Sequence, residues 1–269
     1  MPRFIAVGEV MLDLSTPALE PGQALHAPVR IRVGGSAVTA ARCAAAAGAE
    51  AVVIGRVGDD PVGRALRAAV SADGVEARIA VDPELSTGLF LESGSGEERA
   101  VVVDRGANSA LAMSDLGSLE ADALLVSGFV LFHEDVAAAG EHALEQTTAT
   151  WRAVDIGSAR LMNDNRLPNA ANSLFANEEE ARALTGLDAE RSLSALADRF
   201  RLVCIKRAEL GALLVVDGNE VRTTGTSIPA PRAGAGDALA GTLLAALVAG
   251  AEPDAALDVA CHAAVHAAA

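Results

Sequence analysis

The segment GAGDALAG, residues 234–241, places small residues before an aspartate at the start of an Ala- and Leu-rich stretch. Small residues let the backbone approach a ligand closely. The N–H groups of Gly234, Ala235 and Gly236 can then point at the helix entrance, where the helix dipole favours an anion such as phosphate. Accepting the proton of an incoming hydroxyl would explain the presence of Asp237 beside that anion. The alternative is a tight turn in which Asp237 caps the helix.

Two further polar features lie near the beginning of the chain. Gly34 and Gly35 stand directly before Ser36, which opens a predicted helix, and paired glycines permit close approach of a polyhydroxy ligand. Asp13 follows the first predicted strand, and its carboxylate can accept hydrogen bonds from two sugar hydroxyls. Each feature alone is weak, because Gly-Gly turns and exposed aspartates are common.

The segment NEEEA, residues 177–181, has two interpretations. Asn177 and Glu180 are three residues apart and therefore share one face of a helix. Their oxygens can orient water molecules on Mg²⁺, which prefers oxygen ligands and keeps several waters. The same Asn-x-x-Glu spacing forms a capping box at a helix N-terminus, and on spacing alone the capping box is favoured.

Other chemistries find little support in the sequence. The cysteines, Cys43, Cys204 and Cys261, form no close pair and lie in Ala- or Val-rich stretches, which favours small core residues over a disulfide or a zinc site. Among the histidines, His262 and His266 are four apart on a predicted helix, where surface positions are favoured over a metal site. The chain contains no G-x-S-x-G, P-loop or G-x-G-x-x-G motif.

The composition limits the class of partner. The 269 residues carry a formal net charge of −15, and such a surface repels nucleic acids and anionic membranes. The first ten residues lack the long apolar core of a signal peptide, and no uninterrupted apolar run has transmembrane length. We therefore expect a cytoplasmic protein that acts on a small molecule.

Short apolar runs alternate with amphipathic, Ala-rich stretches. The predicted strands are Phe4–Val7, Ala51–Ile54, Leu124–Ser127, Ala153–Asp155, Leu174–Ala176, Leu202–Lys206 and Ala212–Val216. The predicted helices are Ser36–Ala47, Pro61–Ala72, Glu134–Thr148, Glu178–Thr185, Ser192–Phe200, Ala235–Ala249 and Asp254–Ala268. This alternation predicts an α/β fold with a mostly parallel sheet covered by helices on both faces.

Two segments interrupt the alternation. Residues 12–33 are Pro-rich and irregular, and residues 86–104 read as a hairpin with a turn at Gly94–Gly96. We expect them to pair as a small accessory sheet over the C-terminal edge of the main sheet, with ordinary surface loops as the alternative. The expected organisation is one α/β domain, residues 1–269, with these two lid segments inserted.

In their order along the chain, Asp13, Gly34–Gly35, Asn177–Glu180 and GAGD resemble the ribokinase family, also called the PfkB family of carbohydrate kinases. The similarity covers nearly the whole chain. Its motifs are VGEVMLD (7–13), VGGSAVTAARCAAAAGAE (33–50), VIGRVGDDPVGRAL (53–66), VVDRGANSAL (102–111), LFANEEEARALTG (174–186), IKRAELGALLV (205–215) and PRAGAGDALAGTLLAAL (231–247). The joint match is specific for the family and much less specific for the substrate.

The resemblance implies a three-layer αβα sandwich with a β-sheet lid, and phosphoryl transfer from ATP to a primary hydroxyl of a sugar. Asp237 is then the catalytic base, and Gly234, Ala235 and Gly236 form the anion hole. The residues implied for the substrate are Asp13, Gly34, Gly35, Ser36, Thr39, Arg105 and Asn108. Those implied for ATP are Lys206, Ala208, Gly211 and His262, and those for Mg²⁺, mainly through water, are Asn177 and Glu180. Many relatives dimerise through their lids, which makes a homodimer an option.

Several features depart from the family pattern. Pro231–Arg232 replaces the usual Asp-Thr, so a K⁺ site loses a carboxylate and the rate is expected to be insensitive to K⁺. Thr39 replaces an Asn near the sugar, and Ala208 replaces a Gly of the nucleotide loop. The sequence ends at Ala269, earlier than many relatives, so part of the adenine pocket is expected to be missing or built differently.

The sequence leaves the substrate open. Ribose, fructose, 2-keto-3-deoxygluconate and a sugar phosphate all stay open. A sugar phosphate would need extra cations near the lid, for which Arg30, Arg32, Arg99 and Arg105 are candidates, with solvated surface arginines as the favoured alternative. A nucleoside kinase of the same family would need an aromatic lid residue, and the lid offers only Phe90. A non-catalytic binding relative is the third alternative, against which the intact GAGD segment argues. For Lys206, a phosphate contact and an ordinary strand-end cation both stay open.

Overall fold

The structure is a computed structural model that describes residues 1–19, 22, 24–94, 98–161, 167–223 and 234–267. Its strands are β1 (Arg3–Val7), β2 (Met11–Thr16), β3 (Arg30–Gly34), β4 (Glu50–Gly58), β5 (Glu76–Asp82), β6 (Gly88–Ser93), β7 (Ala100–Asp104), β8 (Ala123–Ser127), β9 (Trp151–Asp155), β10 (Ser173–Asn177), β11 (Leu202–Lys206), β12 (Ala212–Val216) and β13 (Asn219–Arg222). Its α-helices are α1 (Ser36–Ala46), α2 (Pro61–Ala72), α3 (Gly128–Leu131), α4 (Ala137–Gln146), α5 (Glu178–Thr185), α6 (Ala189–Ala197), α7 (Ala235–Val248) and α8 (Pro253–Ala267).

A nine-stranded sheet forms the centre of the fold, in the order β13-β12-β11-β10-β9-β8-β1-β4-β5. The strands from β11 to β5 pair in parallel, and β12 and β13 continue the sheet as antiparallel strands. Most of these strands are buried and continuously apolar, as expected for a sheet covered on both faces. The predicted α/β class and mostly parallel sheet are therefore confirmed.

Helices cover both faces of this sheet and enclose two apolar cores. One core joins α1, α2, α7 and α8 to side chains such as Phe175 and Cys204. The other joins α4, α5 and α6 to side chains such as Leu174 and Val203. Because neighbouring residues of β10 and β11 point to opposite faces, each strand contributes to both cores. The result is the three-layer αβα sandwich that the sequence predicts.

A second sheet has four strands in the order β3-β2-β6-β7. Strands β2 and β3 pair antiparallel, β2 and β6 pair in parallel, and β6 and β7 form an antiparallel hairpin. The two irregular segments therefore pair as a small sheet and are not ordinary loops. The predicted turn at Gly94–Gly96 lies partly outside the described residues.

Capping residues set several helix boundaries. Asp60 accepts a hydrogen bond from the N–H of Gly63 at 2.7 Å, with Pro61 in the first turn, as the sequence predicts. Asp188 accepts from the N–H of Arg191, so α6 begins at Ala189 and the predicted start at Ser192 is wrong. The predicted helix 134–148 is also too long, because α4 spans Ala137–Gln146. Within the described residues, no helix is long and apolar enough to cross a membrane.

Candidate functional site

The candidate site lies where parallel strands end beside the first turn of α7. Strands β8, β9, β10 and β11 are neighbours in the large sheet and end at Ser127, Asp155, Asn177 and Lys206. In open α/β sheets, ligands bind in the crevice outside the carboxyl ends of the strands. A small cavity of about 10 Å³ separates Asp155 and Asp237 from Ser127 and the start of α1. This is about the smallest cavity that can hold one water molecule.

Asp237 lies in the first turn of α7 and is partly buried. The N-cap residue of this helix is Gly234, in the left-handed conformation with φ of 88°, so Asp237 does not occupy the N-cap position. Burial, reinforced by the negative charge of Asp155, raises the pKa of Asp237 to about 7, and the Lys206 ammonium opposes this rise. A carboxyl group with this pKa can accept a proton at neutral pH.

Lys206 forms an ion pair with Asp155, a residue that was not predicted for the site. Its Nζ donates to both carboxylate oxygens of Asp155, at 2.7 and 2.9 Å, and the two side chains are 13% and 6% exposed. Burial acts to lower the pKa of Lys206, but the charges of Asp155 and Glu180 raise it above the ordinary value, so the ammonium stays charged. A Cβ at Gly236 would lie 2.9 Å from this Nζ, so glycine leaves room for the ammonium at the start of α7.

A buried carboxylate lies under the opposite side of the site. Glu9 is 6% exposed, and its Oε2 accepts hydrogen bonds from the hydroxyls of Ser36 and Ser127 at 2.9 and 3.2 Å. Burial raises the pKa of Glu9, and the Ser36 hydroxyl opposes the rise. Gly35, with φ of 101°, packs against the carbonyl of Glu9. Ser36 was predicted to face the substrate, and in this structure its hydroxyl binds Glu9 and Ser127.

Asp13 and Gly34 lie together, as the sequence analysis expects. The Asp13 carboxyl group lies against the Cα of Gly34. A Cβ at this position would collide with the carboxyl group, so glycine is required there. Arg32 and Phe90 are the residues opposite Asp13 on the two neighbouring strands of the small sheet. Burial raises the pKa of Asp13 to about 6, and the charge of Arg32 opposes the rise.

The side-chain amide of Asn108 and one guanidinium nitrogen of Arg105 are bonded within the protein. The amide of Asn108 accepts from the N–H of Val10 at 2.9 Å and donates to the carbonyls of Val10 and Arg105. Asn108 is 4% exposed and ties the connection between β1 and β2 to the segment after β7. The guanidinium of Arg105 forms an ion pair with Asp135 at 2.9 Å. Their predicted contacts with a sugar stay predictions.

The loop between β11 and β12 contains two of the residues predicted to bind ATP. Ala208 has φ of 44° and Gly211 has φ of 78°. The left-handed conformation is unfavourable for alanine, which explains why glycine suits this position of the loop. His262 lies exposed on α8, with its ring Nδ1 2.8 Å from the carbonyl oxygen of Asp258. Among the described residues, His262 forms no hydrogen bond with the Ala208–Gly211 loop.

The start of α5 is a reciprocal capping box. Asn177 Oδ1 accepts from the N–H of Glu180, and Glu180 Oε2 accepts from the N–H of Asn177, both at 2.8 Å. The capping-box interpretation is therefore confirmed. Burial raises the pKa of Glu180, and the nearby charge of Lys206 opposes the rise. The described residues contain no group of three or more His, Cys, Asp or Glu side chains that could hold a metal ion.

Thr39 was predicted at the sugar site and Pro231–Arg232 at the K⁺ site, and the structure describes only the first of them. Thr39 lies in the first turns of α1, where its hydroxyl donates to the carbonyl of Gly35 at 3.2 Å. Its side chain also faces Gly234, since a Cβ at that glycine would lie 3.4 Å from Thr39 Cγ2. Pro231 and Arg232, on which the K⁺ prediction depends, lie outside the described residues.

Three solved structures that share this fold are kinases of small molecules. Adenosine kinase from Sinorhizobium meliloti aligns with a TM-score of 0.84 and 19% identity, covering 98% of this chain and 92% of that chain. Ribokinase from Thermotoga maritima aligns with a TM-score of 0.81 and 19% identity, covering 98% and 92%. Fructokinase from Vibrio cholerae O395, in its fructose-, ADP- and calcium-bound form, aligns with a TM-score of 0.80 and 25% identity, covering 100% and 92%.

Sequence comparison identifies the family. The bifunctional protein HldE of Caulobacter vibrioides is 30% identical over 275 residues, which cover 92% of this chain and 56% of that protein. This chain thus spans about half the length of that curated relative. A family model described as pfkB family carbohydrate kinase matches residues 1–268, and the chain therefore belongs to the pfkB family of carbohydrate kinases.

Proposed function

We propose that this protein transfers a phosphoryl group from ATP to a primary hydroxyl of a sugar or a sugar-like molecule. The observation that carries the proposal is the position of Asp237. Asp237 lies in the first turn of α7, directly after Gly234, Ala235 and Gly236, and lines the small cavity at the carboxyl ends of the strands. Its pKa, raised to about 7 by burial, suits a general base near neutral pH.

In the proposed reaction, Asp237 accepts the proton of the sugar hydroxyl while that oxygen bonds to the γ-phosphorus of ATP. The bond between this phosphorus and the oxygen of the leaving ADP breaks in the same transfer. The backbone N–H groups of residues 234–236 stabilise charge on the phosphoryl oxygens. Asp13, packed over Gly34, binds sugar hydroxyls, and closure of the small sheet excludes water that would hydrolyse ATP.

The residues at the start of α5 fit a magnesium ion that is held mainly through water. Asn177 and Glu180 each accept one backbone hydrogen bond in the capping box. Among the described residues, the second carboxylate oxygen of Glu180 has no hydrogen-bond donor, so it can accept from water on the ion. Mg²⁺ commonly binds one or two carboxylates together with substrate phosphates and several waters. When bound with ATP, the ion would offset the charge of the β- and γ-phosphates.

A nucleoside acceptor is the second candidate, favoured by the place of Phe90. This ring stands opposite Asp13 on the neighbouring strand, so that a carboxylate and an aromatic face lie side by side in the small sheet. A nucleobase stacks on an aromatic ring while a carboxylate binds the ribose hydroxyls. The similarity to adenosine kinase supports the fold alone at 19% identity.

The test is ADP release from ATP and Mg²⁺ with a panel of sugars, sugar phosphates and nucleosides. We expect turnover with at least one sugar, and loss of that turnover in Asp237→Asn. Turnover with nucleosides alone supports the second candidate. If no compound is phosphorylated while one of them raises the melting temperature, the protein is a binding relative and the proposal is wrong.

A further inference from the structure

The ion pair between Asp155 and Lys206 spans a whole strand of the large sheet. Asp155 ends β9 and Lys206 ends β11, with β10 between them. Asp155 is level with Phe175 on β10, and Phe175 is level with Cys204, two residues before Lys206. The backbones of β9 and β11 are roughly 10 Å apart at the usual strand spacing. The lysine side chain therefore extends over the end of β10 to meet the carboxylate.

The ion pair is bidentate and largely buried. Both oxygens of Asp155 accept from Nζ, and neither side chain is more than 13% exposed. Two opposite charges in such a place are tolerated because they compensate each other, and removal of one partner leaves a buried unpaired charge. Asp155 thus fixes both the charge and the position of the Lys206 ammonium.

The ammonium of Lys206 lies at the N-terminus of α7, where a cation does not stabilise a helix. Nζ reaches the first turn of α7, since a Cβ at Gly236 would lie 2.9 Å from it. A helix N-terminus carries partial positive charge, so it disfavours a neighbouring cation and favours an anion. The carboxylates of Asp155, Glu180 and Asp237 offset this repulsion and keep the ammonium charged at the start of α7. An anionic group bound between the ammonium and the start of α7 would pair with the ammonium and accept hydrogen bonds from the N–H groups of residues 234–236.

We propose that Asp155 is a positioning residue that holds the Lys206 ammonium at the start of α7, where it contacts the phosphoryl group during transfer. This inference rests on the proposed kinase function. It chooses between the two interpretations of Lys206 and adds Asp155, which had no role before. Lys206 supplies positive charge to the phosphoryl oxygens beside the backbone N–H groups. Asp155 acts through Lys206 and need not touch the phosphate. Its charge also raises the pKa of Asp237, so the variants are compared at a pH well above 7, where the base is deprotonated in each of them.

The test is a double-mutant cycle with Asp155→Asn, Lys206→Met and the double variant. We expect Asp155→Asn and Lys206→Met each to lower kcat on the order of 10-fold or more, with a smaller change in the KM for the sugar. The double variant should lose no more than Lys206→Met alone, because Asp155 acts through the lysine. It also removes both buried charges, so it tests the proposal even if Asp155→Asn folds poorly.

The matched control is Asp115→Asn, which breaks a similarly buried ion pair away from the site. Asp115 and Arg56 are 2.7 Å apart, with side chains 12% and 18% exposed. A purely structural role of Asp155 predicts that both variants lower the melting temperature and leave kcat unchanged. Our inference predicts a loss of kcat for Asp155→Asn alone.

The affinity for ATP with Mg²⁺, measured by calorimetry without sugar, gives a readout that does not need turnover. We expect the losses of affinity in the two single variants to be non-additive. If the wild type is active and Asp155→Asn keeps its kcat, the inference is overturned and the kinase function stands. The same holds if the losses of kcat in the two single variants multiply in the double variant. An inactive wild type that binds ATP overturns the kinase function, and the affinity cycle then decides the role of the pair. A wild type that neither reacts nor binds ATP overturns both.

Discussion

At the residue scale, replacing Asp237 by asparagine separates its charge from its shape. The amide fills the same space in the first turn of α7 but cannot accept the proton of a hydroxyl. We expect kcat to fall by about 10²–10⁴-fold, with little change in ATP affinity. Steady-state ADP release and calorimetric ATP binding measure the two quantities.

The matched control is Asp254→Asn. Asp254 is an exposed aspartate in the first turn of α8, so it tests the general effect of removing an acid from a helix N-terminus. We expect this variant to keep wild-type turnover. Near-normal turnover in Asp237→Asn would remove the residue from the role of base.

The pKa of Asp237 also predicts how the rate depends on pH. Burial and the charge of Asp155 raise this pKa to about 7. Because a base acts only when deprotonated, kcat/KM should rise with pH through about 7 and level off above it. A series of rates from pH 5.5 to 9 measures the profile. A rate that is flat across this range would contradict the assignment.

The same raised pKa predicts a gain of stability in Asp237→Asn. The pKa in the folded state is about 7, against 3.8 for an ordinary aspartate. The protonated form therefore favours folding at low pH, and this contribution is lost as the pH rises through about 7. Asparagine is never charged, so the variant should melt higher than the wild type at pH 8, and the difference should shrink towards pH 4.5. Thermal unfolding at the two pH values measures it, and an equal melting temperature at pH 8 would contradict a buried, destabilised carboxylate.

Local spacing predicted some parts of the site and not others. The GAGD segment predicted Asp237 at a helix start, and the structure places it in the first turn of α7, because this signal lies in one short segment. The roles predicted for Asp237, Asp13 and the Gly34–Gly35 pair stay predictions. Asp155 was missed because its partner Lys206 is distant in sequence, and nothing near Asp155 shows which strand lies two places away in the sheet. Glu9 follows the first strand in sequence, and its burial against two serines appears only when α1 and β8 are placed beside it.

At the element scale, Glu180→Gln separates the two roles of the capping box at the start of α5. A glutamine side chain can still accept the N–H of Asn177, so the box and the melting temperature should be retained. The lost charge should raise the Mg²⁺ concentration needed for half-maximal rate severalfold, because carboxylates are preferred Mg²⁺ partners. Rates across a Mg²⁺ titration measure this. The control is Glu179→Gln, an exposed acid of the same turn. A lower melting temperature with unchanged Mg²⁺ dependence would show that Glu180 only caps the helix.

The elements themselves were predictable where their pattern is strong. Central strands such as β8 and β11 are short apolar runs, and they agree with the structure within a residue. Strands β5 and β13 were missed because they are the two edges of the large sheet and carry polar residues, which weakens the apolar signal. The pairing of the segments that contain β2, β3, β6 and β7 was predicted, but the bounds of β2 and β3 were not. The strand order β3-β2-β6-β7 and its register appear only in three dimensions.

At the scale of the whole molecule, the small sheet has two different faces. One face carries Asp13, Arg32 and Phe90, which belong to the candidate substrate site. On the other face, Ile31, Leu14, Leu91 and Val102 are level with one another and form an apolar row across all four strands.

This apolar row predicts self-association through the small sheet. Ile31 and Val102, at its two ends, are 66% and 61% exposed. They lie on β3 and β7, the edge strands, whose unpaired backbone groups can also pair with another copy. Exposed apolar surface of this kind marks an interface, and a row that runs from edge to edge can meet its own copy across a two-fold axis.

We therefore expect a homodimer that Ile31→Lys or Val102→Lys weakens at least about tenfold, because each change places a charge in an apolar contact. Sedimentation equilibrium over a range of protein concentrations measures the dissociation constant. Val259→Lys is the control, since Val259 is 54% exposed on α8, away from the small sheet, and its replacement should leave the dimer intact. A wild type that stays monomeric at every concentration, or a dimer that Val259→Lys disrupts equally, would show that the apolar row serves another purpose.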